Sequence, residues 1–185
     1  SAEPGATIRY TQDGSLPTQA SPAYARPFEI KENTILQAIS IDKSGNVSPV
    51  ARAEFYKIDP NRKIQLLSKY ENQYAAGGDN ALIDGLRGPL NFRTGRWQGY
   101  QHDMEVVVDL GKPTKVSTVK VGFLQDINSW IWMPREVQFA FSDDGKNFGS
   151  TKVVRNTMVA DTSDGAIRTE FVMKTSQLPL RYVKI

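Results

Sequence analysis

Thr118-Val119-Lys120-Val121-Gly122-Phe123 alternates polar and apolar positions with a strict period of two. In an extended chain successive side chains point to opposite faces, so Val119, Val121 and Phe123 share one side. A helix would instead repeat its apolar residues every three or four positions, so this is the pattern of a half-buried strand. Val137, Phe139 and Phe141 repeat the alternation against Gln138, Ala140 and Ser142. The run from Thr34 to Ile41 is rich in β-branched residues, which fit a pleated surface. Glu105 to Leu110 holds a more continuous apolar stretch, Val106 to Val108, which Gly111 and Pro113 are expected to close. Turn chemistry separates these runs at Asp13-Gly14, Ser44-Gly45-Asn46, Asp144-Gly145 and Asp164-Gly165. Helical stripes are missing throughout. A sheet must bury one face against another layer, so short strands with regular turns predict an all-β chain built of sandwiches.

The composition narrows what such a chain does. With 39% hydrophobic and 23% charged residues, the 185-residue chain has the make-up of a folded globular protein. No apolar run approaches the roughly 20 residues that span a bilayer. No signal peptide opens the chain, so the sequence is expected to begin inside a longer precursor. Cysteine is absent, which removes disulfides and thiolate metal sites. The formal charge of +3 is spread among acidic residues, and the densest basic spot is the pair Arg62-Lys63. That is far from the basic arm or stripe that grips nucleic acid, so no nucleic-acid partner is expected. A domain boundary is expected at Lys57 to Asn61, where Asp59-Pro60-Asn61 interrupts any continuing ladder. It divides the chain into residues 1–58 and 62–185.

Two family resemblances rest on these segments. Gly5-Ala6-Thr7-Ile8-Arg9-Tyr10-Thr11-Gln12-Asp13-Gly14-Ser15-Leu16-Pro17-Thr18, with Ser21-Pro22, Pro27-Phe28 and the strand Thr34 to Ile41, resembles the C-terminal module of chitobiases and β-hexosaminidases. The resemblance covers residues 5–56 and implies a small immunoglobulin-like or fibronectin-like sandwich without an active site. The second piece is similar to the discoidin, or coagulation-factor C-type, domain, a galactose-binding-like jelly roll. The residues that carry this are Ala81-Leu82-Ile83-Asp84-Gly85, Trp97, Val106 to Gly111, Val137 to Ser142, Asp144 to Phe148 and Leu180 to Ile185. Val121 to Asp126 with Ser129-Trp130-Ile131-Trp132 looks like the variant attached to bacterial β-hexosaminidases. The family runs one strand further after a segment like Arg181 to Ile185, so the second domain is expected to lack its last strand.

Each candidate site competes with a plainer structural role. Glycoside hydrolysis needs two carboxylates set across a scissile bond, and Asp143-Asp144 is the adjacent pair on offer. An Asp-Gly after a strand is turn chemistry, however, and no catalytic residue is expected in this chain. His102 is the one histidine, so no multi-histidine metal centre is possible, and no nucleophile elbow partners it. The discoidin resemblance implies a structural calcium in the loop from Gly77 to Gly85, with Asp84 as a side-chain ligand and Asp79 or Thr94 assisting. Calcium takes several hard oxygens, which carboxylates and loop carbonyls supply. Asp84-Gly85 also reads as a simple turn, and both readings stand. Sugars bind aromatic faces flanked by polar hydrogen-bonding groups. Trp97, Tyr100, Trp130 and Trp132 are the aromatic candidates, with Trp97 matching a family position that packs beneath the loops. If Trp130-Ile131-Trp132 is extended, both tryptophans share a face. Asn128, Trp130 and Arg135 are the expected sugar-facing residues.

The resemblances together imply a non-catalytic accessory region of a secreted bacterial glycoside hydrolase of the β-N-acetylhexosaminidase type. Its expected partners are amino-sugar or galactose-type glycans and the catalytic domain of the same polypeptide, in the periplasm or outside the cell. A purely structural spacer, or a module for protein or membrane adhesion, is the alternative. The latter would need apolar spikes beside basic residues, as Trp130, Trp132, Met133 and Arg135 could form.

Overall fold

A computed structural model describes residues 4–158, 165–176 and 179–185. It is all-β, as the alternation predicts, and divides into two compact units, residues 1–57 and 58–185. Asp164, half of one expected turn, lies outside the described residues. Among the described residues no helix is long and apolar enough to cross a membrane.

The first unit is built on an antiparallel sheet of β1 (Thr7–Thr11), β2 (Thr34–Ile41) and β3 (Ala51–Phe55), in the order β1-β2-β3. Asp13-Gly14 turns the chain after β1. The Asp13 carboxylate accepts from the Ser15 N–H and hydroxyl, and Gly14 has the positive φ of 81° that a side chain would resist. The turn is tied to β2, because Gly14 N–H donates to Ile35 O and the Gln37 amide donates to Gly14 O. That bond explains why a polar residue, Gln37, is buried beside Ile39. On the other face Tyr10 stacks on Phe28 at 5.0 Å between ring centroids, with Tyr24 edge-on to both. Asp42 organises the next turn by accepting from the N–H groups of Ser44 and Asn46.

The second unit packs two antiparallel sheets face to face. One has the order β4-β5-β10-β7-β8, from β4 (Lys63–Leu66), β5 (Val106–Lys115), β7 (Glu136–Ser142), β8 (Lys152–Arg155) and β10 (Pro179–Lys184). The other pairs β6 (Thr118–Gln125) with β9 (Ile167–Lys174). Inward residues of both sheets meet in the core. Val137 and Phe139 pack on Phe171 and Met173, with Val119, Val121 and Phe123 against them. The residues assigned to one face by alternation are therefore the ones that fill the interior.

β5 runs further than the sequence suggests. Gly111 and Pro113 do not close it; pairing with β10 resumes beyond them, at Leu180 opposite Thr114. The register shift between Leu180 and Tyr182 absorbs the extra β5 residues as a bulge, and Gly111 adopts φ 80° within it. Arg181, at the irregularity, donates from Nε and Nη2 to the two Asp109 carboxylate oxygens at 2.9 and 3.0 Å. That fork, with Gly111 N–H, holds Asp109 below the usual carboxylate range.

Candidate functional site

One end of the second unit carries the loop between β6 and β7, residues 126–135, together with the long segment between β4 and β5, residues 67–105. The register places them together, because Gln125 at the end of β6, Glu136 at the start of β7, and Leu66 and Val106 all lie at that end.

The 126–131 loop is closed by its own backbone. Asp126 N–H donates to Ile131 O and Ile131 N–H to Asp126 O, at 2.9 and 3.0 Å. Inside this ring the chain makes one 3-10 turn, Ile127–Ser129, and the Ser129 hydroxyl donates to the Asp126 carboxylate. Trp130 ends the turn with φ 59° and ψ 32°, the left-handed region. The Trp130-Ile131-Trp132 segment is therefore not extended, and period-two alternation does not govern it. Both tryptophans are exposed all the same, Trp130 to 83% and Trp132 to 62%. Asn128 and Arg135 are also on the surface, Asn128 within the 3-10 turn and Arg135 immediately before β7. The proposed sugar-facing residues thus belong to one loop and one exposed end of the sandwich. A bulky residue in left-handed backbone is strained by about 1–2 kcal/mol, so this loop holds its tryptophan out against local preference.

Trp97 behaves differently. It is half-buried, its indole N–H donates to Pro89 O at 2.8 Å, and its ring lies so close to Gly88 that any Cβ there would collide with it. Arg168 of β9 clamps the same place by donating to Gly88 O at 2.9 Å. This is the plug under the loops, which leaves Trp130 and Trp132 as the exposed indoles. Tyr100 is inward as well. Burial pushes its phenol up to about 12, so it stays a neutral donor, here to Gln98, whose amide in turn donates to Gly78 O.

The residues expected to hold calcium lie along this same segment. Asp79 and Asp84 flank a 3-10 turn, Ala81–Ile83, and Thr94 ends another, Phe92–Thr94. Asp79 accepts from the Tyr70 hydroxyl, Asp84 from Leu86 N–H at 2.7 Å, and the Thr94 hydroxyl donates to Asn91 O. Each carboxylate therefore serves a separate neighbour through one oxygen. Among the described residues no three acidic, histidine or cysteine side chains converge as a metal cluster. An ion here would draw most of its ligands from loop carbonyls.

Asp144 has the turn role read from the sequence. It accepts from the N–H groups of Lys146 and Asn147, the Asn147 amide and the Ser142 hydroxyl, and these hold its carboxyl far below the usual range. A general acid needs the opposite shift. His102 is exposed, in the segment before β5. The Asp126–Ile131 closure and the Gly88 seat of Trp97 are features of this end of the unit that sequence reasoning missed, since both depend on main-chain geometry.

Comparison with known proteins adds the following. Residues 65–185 match the F5/8 type C domain family, and residues 1–55 match the family described as Fn3 associated. A search of the curated proteins returns no match. Among solved structures, the SusE-like protein BT2857 aligns over 97% of this chain and 79% of its own, at 12% identity and a TM-score of 0.45.

Proposed function

This chain belongs to the F5/8 type C domain family, and from that premise we propose that it is a non-catalytic accessory region that binds carbohydrate. The observation that carries the reading is Trp130, displayed in strained left-handed backbone with 83% of its surface open to solvent. A side chain of that size is normally buried, and a fold that spends strain to expose it gives the ring a ligand to meet. Its flat apolar face suits the C–H face of a pyranose, while Asn128 and Arg135 offer hydrogen bonds to hydroxyl or acetamido groups. Trp132 extends the aromatic surface. We take the ligand to be an amino-sugar or galactose-type glycan. The parent is then a secreted bacterial glycoside hydrolase of the β-N-acetylhexosaminidase type, acting in the periplasm or outside the cell. The Asp13-Gly14 turn and Pro-Thr segment of the first unit support that parentage.

The test is binding of the purified chain to a glycan array, followed by titration with the best oligosaccharide. Binding to amino-sugar or galactose glycans is the expected result. Retention on phospholipid vesicles without glycan binding would replace this reading with membrane adhesion.

A structural calcium ion completes the proposal. The second oxygens of Asp84 and Asp79 and the Thr94 hydroxyl are the side-chain ligands, and loop carbonyls supply the rest. Its chemistry here is to bind and to hold the loops in place. The assembled loop exists only in the folded state, so calcium stabilises that state by mass action. At 100 times its dissociation constant the gain is about 2.7 kcal/mol, a rise in Tm of roughly 10 °C for a domain of this size. Thermal melts with calcium and with chelator are expected to differ by that amount. In Asp84→Ala the two melts should coincide. Coincident melts of the wild-type chain would leave Asp84 as the turn residue its bond to Leu86 makes it.

A further inference from the structure

The second unit carries a cleft of its own at the end of the sandwich opposite the Trp130 loop. β9 finishes there, since Lys174 pairs with Thr118 at the start of β6, while Gln125 at the other end of β6 leads into that loop. β7 finishes at Ser142 and β10 starts at Pro179 at this same end. Between them lies a cleft of about 240 Å³, lined from β7, β8 and β10 and from the chain just after β9. Phe141, Pro179 and Leu180 make its apolar surface. Its walls are held in place. The Ser142 hydroxyl accepts from Asp144 N–H and Gly145 N–H and donates to the Asp144 carboxylate, so its bonding capacity is used within the turn. On the other side Thr175 N–H donates to Ser117 O and its hydroxyl to Val116 O, which ties the end of β9 to the β5–β6 connection.

Two charged groups complete the lining. Asp143 follows β7 directly. Lys152, at the start of β8, leans along the neighbouring strand until its ammonium lies 5.9 Å from the centre of the Phe141 ring. Opposite charges in one small cleft attract each other. Among the described residues, however, neither forms an ion pair, with the other or with a third group. An anion and a cation kept apart beside an apolar surface match a molecule that carries both charges itself.

We propose that this cleft binds a free α-amino acid with an apolar side chain of about the size of leucine. The ligand's ammonium donates to Asp143. Its carboxylate accepts from the Lys152 ammonium and from the exposed Ser176 hydroxyl, and its side chain lies on Phe141, Pro179 and Leu180. The same charges turn other ligands away. A neutral sugar leaves both of them unanswered, a dicarboxylate meets Asp143, and a diamine meets Lys152. A residue inside a peptide has neither free charge, and the cleft is smaller than the roughly 300–1,000 Å³ of sites for larger ligands. Two ionic contacts near the surface make weak binding, with a Kd of about 1 mM. This site does not depend on the glycan reading of the Trp130 loop.

Titration of the whole chain with L-leucine, followed by amide chemical shifts, reads this directly, with N-acetyl-leucine and leucinamide alongside. Leucine is expected to saturate the protein and to shift residues around Asp143 and Lys152. Each blocked derivative has lost one charge and should bind about tenfold more weakly. Asp143→Asn should bind leucine about tenfold more weakly and no longer prefer it to N-acetyl-leucine. Lys152→Gln should behave likewise toward leucinamide. Both side chains are exposed, so both variants should melt with the wild type. Failure of leucine to saturate the chain at tens of millimolar overturns the proposal. So do equal affinities for leucine and its blocked derivatives, or wild-type affinity in either variant.

Discussion

Phe139→Ala is expected to cost about 3–5 kcal/mol, the range for emptying a fully buried phenylalanine site. Phe139 has no accessible surface, and it sits in the layer where the two sheets of the second unit meet. Val137 shares its strand, while Phe171 and Met173 face it from β9. These neighbours are themselves held. Phe171 stands edge-on to Phe123 at 5.3 Å, so it cannot swing into the space without losing that contact. Little collapse means a large residual cavity and a penalty near the top of the range. Against a typical domain stability of about 5–15 kcal/mol, that leaves a marginal or unfolded second unit at 37 °C. Chemical denaturation should show a lower midpoint at an unchanged slope, because the core is lost without a change in the surface exposed. Phe139→Leu keeps most of the volume and should lose far less. Equal losses in the two variants would show that the site tolerates a cavity, contrary to its packing.

Trp130→Gly is expected to separate binding from folding. The position has φ 59°, which glycine adopts without the steric penalty that tryptophan carries. Relief of about 1–2 kcal/mol is offset by glycine's greater freedom in the unfolded chain, roughly 0.5–1 kcal/mol. The melting temperature should therefore stay within a few degrees of wild type. Glycan affinity should fall at least about 30-fold, the effect of removing an aromatic anchor worth about 2 kcal/mol or more. Calorimetric titration and a thermal melt on the same preparation read both quantities. Trp130→Ala should lose the same affinity while keeping the strain, so it should melt below Trp130→Gly. Unchanged affinity in the glycine variant would remove Trp130 from the site. A large fall in stability would mean the indole is a structural plug despite its exposure.

The strands were legible in the sequence because their apolar residues alternate, although Ala140 and Ser142 on the other face of β7 are buried as well. Thr118 to Phe123 and Val137 to Ser142 alternate, and the structure places Val119, Val121, Phe123, Val137 and Phe139 in one core. The Asp13, Asp42 and Asp144 turns were legible for a different reason, since each carboxylate binds N–H groups two to four residues ahead. What the pattern hid depends on contacts distant in sequence or on the backbone alone. Pro113 reads as the end of a strand, yet the bulge opposite Arg181 carries β5 past it. Gly88 is featureless in sequence, and only Trp97 lying on it shows why a side chain is excluded. Trp130 and Trp132 were legible as aromatic candidates. Their shared exposure was not, because alternation assumes an extended chain and Asp126 with Ile131 bends this one into a ring.

That ring bears on how such a protein changes over generations. Two main-chain hydrogen bonds between Asp126 and Ile131 set the shape of the loop, and the indole of Trp130 takes no part in them. What the loop displays is thereby separated from what keeps it in shape. A mutation at Trp130 alters the displayed surface and meets little opposition from stability, since a residue at ease in left-handed backbone lightens the strain. New displayed surfaces are then within reach of single substitutions, each passing through a folded intermediate. A lineage can vary the displayed side chain on one sandwich, and the loop between β6 and β7 is where those trials would leave their trace.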